Sequence, residues 1–231
     1  MIGFDWYYVI DFFPKILQAL PVTLLIVCVA AVAGLILGAL MAIVRIERLS
    51  VLHSVVAVIV SFVRGTPIYI QMFLIYYGLP AALLVFGINI VRADKMLFVL
   101  IAYSINAAGF FSEIIRSSVL SVPHDQWDAA LSIGHTRPLA YIRIIIPQAV
   151  VIAIPSTGVM ITGLLQDTSL TFAMGVIDVL GKATSLSKHT GHSLEAFSVV
   201  AMIFVALSTI VTLVFTFLAK KTRTQNLVVR T

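Results

Sequence analysis

Apolar positions along this chain come in long unbroken runs, with polar residues confined to short breaks between them. Residues 22–44 contain no charged side chain. At about 1.5 Å per residue they would extend about 35 Å as a helix, more than a hydrocarbon core of about 30 Å. Residues 197–218 form a second such run, and residues 96–111 a shorter one that continues through Ser112. Two further runs are interrupted. Residues 51–84 carry Arg64-Gly65-Thr66-Pro67 in the middle and Gly78-Leu79-Pro80 near the end, and residues 147–165 carry Pro155, Gly158 and Gly163. The pattern predicts five membrane-spanning helices. Uninterrupted runs, as opposed to period-two alternation, choose helices over a barrel.

Composition agrees with a bilayer as the solvent. Apolar residues make up 61% of the 231 and charged ones 11%, with a mean hydropathy of +1.10. A water-soluble domain carries roughly a quarter charged residues, so that class is excluded. In lipid the backbone must satisfy its own hydrogen bonds, which makes the whole chain one helical transmembrane domain. Basic residues set the orientation. With the amino terminus outside, the inner side receives Arg45, Arg48, Arg116, Arg137, Arg143, Lys220, Lys221, Arg223 and Arg230. The outer side receives fewer, namely Lys15, Arg92, Lys95, Lys182 and Lys188. Cytoplasmic loops accumulate Lys and Arg, so the amino terminus is expected outside and the basic tail, residues 219–231, in the cytoplasm. The net charge of +5 then reports orientation and not nucleic-acid binding. Residues 1–15 lack a basic leading region and include Trp6 and Tyr7, which predicts an interfacial helix and not a signal peptide. The lone Cys28 leaves no disulfide framework or zinc cluster.

The segment 117–146 is too polar for a span and too apolar for a solvated linker. Trp127, Ala130, Ile133 and Gly134 recur at helical spacing, Pro123 is placed to start a helix, and Gly134 to end one or to admit another backbone closely. Such a helix could simply hold two spans together at the interface, or be a surface on which another protein pushes. Its sequence is Asp128-Ala129-Ala130, three residues, Gly134, nine residues, then Ile144-Ile145-Ile146-Pro147. This resembles the "EAA" loop of bacterial ABC-importer permeases, with Asp128 in place of the usual Glu and Ile146 in place of the usual Leu. The resemblance implies an all-helical type I importer permease of about five spans. Its coupling helix would dock on a cytoplasmic ATPase through Asp128, Ala129, Ala130 and Gly134.

Two more stretches join the resemblance. Phe62-Val63-Arg64-Gly65-Thr66-Pro67, followed by Gln71 and Tyr76-Tyr77-Gly78-Leu79-Pro80, is similar to the polar-amino-acid branch of these permeases. An arginine at membrane depth costs about 2.5 kcal/mol or more, so Arg64 needs protein, water or a partner. Leu164-Leu165-Gln166-Asp167-Thr168-Ser169-Leu170 matches a stretch that in that branch often has Lys where Gln166 stands. Asp167 could bind an amino group, pair with Arg64 or cap the next helix. Arg64, Gly65, Thr66, Pro67, Gln71, Asn106, Gln166, Asp167, Thr168 and Ser169 are the expected lining of the substrate path or gate. Ser112, Glu113 and Arg116 resemble the family's inner end of the third span, where Glu113 and Arg116 can pair. Gly34 and Gly38 read as ordinary helix packing, and His189 and His192 as solvated loop residues.

No stretch fits a phosphate loop. From Gly175 to Gly181-Lys182-Ala183 there is one residue too many and no Ser or Thr after the lysine. The chain is therefore expected to be no enzyme and to hold no cofactor, with ATP and Mg bound by the partner ATPase. The resemblance implies further partners: an extracytoplasmic solute-binding protein, a second permease copy or a different permease chain, and the lipid of the bacterial inner membrane. An L-amino acid is the implied substrate, cystine first, because the segment from Gly175 to Glu195 resembles the cystine members. An ion-coupled secondary transporter would show an inverted repeat, and a membrane enzyme a catalytic set; neither is visible.

Overall fold

In a computed structural model, residues 4–228 are described, with side chains through Thr222, so the Arg223 side chain and Arg230 of the basic tail lie outside the described part. Among the described residues every regular element is helical. Four helices are long and apolar enough to cross a membrane. They are α2 (Leu20–Ile46), α5 (Lys95–Leu120), the continuous stretch Arg137–Met174, and α10 (Ser193–Val228) over its described side chains, Ser193–Thr222. The predicted fifth span is two helices, α3 (Ser50–Gly65) and α4 (Ile68–Leu84), bent by 118° at a two-residue break. The expected count of five holds when this pair is one crossing.

The break falls where Pro67 dictates. Thr66 before it is extended (φ −119°, ψ 142°), the conformation forced by the proline ring, and Pro67 itself serves as the N-cap of α4. Stretch Arg137–Met174 is not uniform either. It runs through α7 (Arg137–Ala140), a π-helical turn at Tyr141–Ile145, α8 (Ile146–Asp167) and a 3₁₀ stretch at Thr168–Met174. The expected third and fourth spans thus extend further into the polar loop than hydropathy alone indicates. What remains between Leu120 and Arg137 is α6 (His124–Ser132) and its flanks.

Helix α2 lies along α5, and the two glycines of α2 set their separation. Gly34 touches Ala107 and Gly38 faces Ala108, Phe111 and Ser112. The central core joins Ile26 and Ala30 of α2, Met72 of α4, Val99 and Tyr103 of α5, and Leu164 and Leu165 of α8. A second cluster packs α1 (Trp6–Leu17) through Val9, Phe12 and Ile16 onto α9 (Val179–Thr190) and α10. Those three residues recur on one face, leaving Trp6 and Ile10 exposed on the other. The α1 end is clasped to α10: the Asp5 amide donates to Glu195 Oε1 (3.0 Å), and Tyr8 stacks on His192 at 3.6 Å between ring centroids. His192 is therefore packed and half-buried, not a free loop side chain. Asp178 caps α9 by accepting from the Gly181 amide (2.8 Å), and burial pushes its carboxyl above the usual range against the pull of the backbone amides.

Candidate functional site

Helix α6 sits between two spans and makes few contacts of its own. Pro123 precedes it, as the sequence predicts, and Ala130 is its one buried residue. Asp128, Ala129, Leu131 and Ile133 are exposed. The C-terminus is a Schellman closure: the Gly134 amide donates to the Leu131 carbonyl (3.0 Å) and the His135 amide to the Ala130 carbonyl (3.1 Å). Gly134 has φ +83°, and a Cβ there would meet nothing within 4 Å. Glycine is thus required by backbone conformation, while the space above it is open to another chain. Asp128 does not cap the helix; it lies mid-helix beside Trp127, whose indole meets Tyr141 edge to face at 4.5 Å. That contact seats α6 on the π-helical turn.

At the α3–α4 elbow, Gln71 answers the chain break. Its Nε2 donates to the carbonyls of Val63 (2.7 Å) and Thr66 (2.9 Å) and to Thr66 Oγ1 (2.9 Å). Its Oε1 accepts from Asn106 Nδ2 of α5 (3.1 Å). The carbonyls released by the bend are thus satisfied from within, and the elbow is tied to α5. Gly65 and Pro67 are exposed at the outside of the turn.

Arg64 leaves this elbow in another direction. Its guanidinium is 3.8 Å from Glu113 and lies over the Phe110 ring at 5.9 Å. Glu113 also receives Arg45 of α2 (2.8 Å) and Arg116 (2.5 Å), so one carboxylate binds three arginines from three helices. The expected Glu113–Arg116 pair is present, joined by an Arg45 partner that the sequence did not indicate.

Asp167 and Asn106 come together. Both line a cavity of about 410 Å³ with Phe110, Ser156, Met160 and Gly163, between α5 and α8. Among the described residues the Asp167 carboxylate caps no helix and pairs with no arginine; Thr168 and Ser169 hydroxyls instead donate back to the carbonyls of Leu165 and Gln166. Tyr103 fixes the position by donating its hydroxyl to the Asp167 carbonyl (2.5 Å). Gln166 points to a separate cleft between α8 and α10, beside Thr162 and Phe215. Tyr103 and Ser156 were not singled out in the sequence. A tyrosine at membrane depth, whose hydroxyl must find a partner, was the available signal for the first.

A model of the family described as binding-protein-dependent transport system inner membrane component matches residues 34–224. The chain belongs to that family. Among this permease's relatives are two from Bacillus subtilis (strain 168). The L-cystine transport system permease protein TcyL is 37% identical over 206 residues, covering 89% of this chain and 86% of its own. The probable amino-acid permease protein YxeN is 35% identical, covering 89% and 90%. The crystal structure of an amino acid ABC transporter with histidines superposes with a TM-score of 0.77 at 26% identity, covering 95% of this chain and 97% of that one. The resemblance to amino-acid ABC permeases read from the loop and elbow motifs is thereby borne out, and the all-helical permease fold with it.

Proposed function

We propose that this permease is the membrane subunit of an ATP-driven importer of a polar L-amino acid, with L-cystine the first candidate. The observation that carries this reading is α6: a short helix outside the spans, closed at an open Gly134, with Leu131 45% and Ile133 71% exposed. Apolar side chains so placed are suited to a protein groove. In this reading an ATPase dimer in the cytoplasm holds α6 of two permease chains, a copy of this one or a second kind. Closure of the dimer on ATP and Mg moves α6, and Trp127 against Tyr141 passes the motion to α8. An extracytoplasmic binding protein delivers solute from the other side. The amino terminus is outside and the carboxyl terminus cytoplasmic.

The cavity supports the substrate class. Asp167 offers an acceptor for an ammonium group, and Asn106 keeps one N–H beyond its bond to Gln71. Arg64, held by Glu113, is not in the lining, so substrate carboxylates would be met by neutral donors. Cystine is favoured by the relative TcyL, an L-cystine transport system permease protein.

The test is ATP-driven uptake in proteoliposomes holding the permease with its ATPase and binding protein, across a panel of labelled amino acids including L-cystine. Asp128→Lys and Gly134→Leu should lower uptake more than about tenfold, the loss of roughly 1.4 kcal/mol or more of coupling between the docked subunits. Insertion of both variants should be unchanged. Wild-type uptake by both, with ATPase association intact, would discard the docking role of α6.

A further inference from the structure

A groove outside the Asp167 cavity remains without a role. It runs between α2, α5, α8 and α10, holds about 440 Å³, and is walled by Leu35, Ile43, Phe111, Ala153, Ile154 and Phe215. Leu35, Ile43 and Val150 on its rim are about half exposed, so it opens at the outer surface of the bundle and not into the interior of the fold. Along α2 it extends from Leu35 to Ile46, a rise of about 17 Å. Half of a hydrocarbon core of about 30 Å is nearly the same, so the groove has the depth of one leaflet.

Its polar mouth selects the occupant. At the α6 end the groove shares Ile46, Val119 and Tyr141 with a second pocket of about 380 Å³, which is lined by Glu47, His124, Asp128 and Arg137. Glu47 accepts the Tyr141 hydroxyl (2.7 Å), which leaves carboxylate oxygen facing the pocket. Arg45, two residues before Glu47, is committed to Glu113. Two carboxylates and one guanidinium suit a headgroup with both an ammonium and a phosphate better than an anionic one.

We propose that this groove is a binding site for a zwitterionic amino-phospholipid of the leaflet on the α6 side. One acyl chain lies between α2 and α8, the phosphate meets Arg137, and the ammonium meets Glu47 and Asp128. The lipid then wedges between α6 and the spans that α6 moves.

The permease would be reconstituted in vesicles of equal phosphatidylethanolamine and phosphatidylglycerol, extracted in mild detergent, and weighed by native mass spectrometry. Retained lipid should be enriched in phosphatidylethanolamine about threefold, the scale of one partly exposed ion pair. Ala153→Trp, which fills the groove, should abolish retention, while Val205→Trp on exposed α10 surface should not. Glu47→Gln should keep the lipid but lose the headgroup preference. Retention at the bulk lipid ratio, or undiminished retention in Ala153→Trp, overturns the proposal. So does a lipid-free dimer that Ala153→Trp splits into single chains, since a second copy would then cover the groove.

Discussion

Two glycines show opposite reasons for the same residue. At Gly38 of α2 the backbone is ordinary helix, but a Cβ would lie 2.7 Å from Phe111 Cβ and 2.9 Å from the Ala108 carbonyl oxygen. Neither neighbour is a flexible side-chain end, so the α2–α5 contact itself must widen. At Gly134 the space is open and the cost is the left-handed backbone alone. Gly38→Ala should therefore lose about 1–3 kcal/mol, and Gly134→Ala about 1–2 kcal/mol confined to the end of α6. Melting in detergent should fall for the first, whereas amide exchange at residue 134 and His135, whose N–H groups close the helix end, reports the second. Asp178 gives a pH prediction. Its carboxyl titrates above its unfolded value because it is buried, and Oδ2 has no hydrogen-bond partner among the described residues. As pH falls through the folded pKa the native state takes up a proton before the unfolded state does. Stability should thus rise until the unfolded value of about 3.9 is reached, then level. Asp178→Asn, which keeps the capping oxygen, should flatten that part of a melting-versus-pH curve. An unchanged slope would mean that the carboxyl is not the titrating group.

At the scale of elements, the elbow between α3 and α4 is held by one side chain. Pro67 makes the break unavoidable, but nothing about Pro67 satisfies the carbonyls of Val63 and Thr66 that the break releases. Gln71 does so, and only an amide can both donate to them and accept from Asn106. Gln71→Glu places a carboxylate against two carbonyl oxygens, so it should destabilise by about 2–3 kcal/mol, more than the apolar Gln71→Met. Equal melting temperatures for the two variants would remove the capping account. In the sequence Gln71 stands with the substrate path because the stretch from Phe62 to Pro80 resembles the polar-amino-acid permeases. Its partners lie on its own elbow and on α5, and they became visible only with the bend.

Across the whole molecule, the stretch Arg137–Met174 separates α6 from α9, so one crossing puts them on opposite faces, and with α3 and α4 as a single crossing the total is odd. With Cys28 replaced by Ser, single cysteines at Ser132→Cys and His189→Cys test this in intact cells with a membrane-impermeant maleimide. His189→Cys should label directly, and Ser132→Cys only after permeabilisation. The reverse pattern would place α6 outside, away from ATP. The site was legible in unequal parts. Helix α6 was read from Pro123 and Gly134 because those residues act on their own local backbone. The Asp167–Asn106 cavity was read as a set of names, without showing that Arg64 leaves it for Glu113 or that Gln166 faces a different cleft.

The sequence by itself determined the solvent, the apolar runs, the break at Pro67 and the closure at Gly134. Each follows from transfer free energy or from dihedral limits within a few residues. Only the tertiary structure decided which polar groups meet. At membrane depth every charge and amide seeks the nearest partner, and which partner is nearest depends on how closely glycine lets α2 approach α5. It depends also on how far α4 folds back at the elbow. Hydrophobic periodicity carries neither distance.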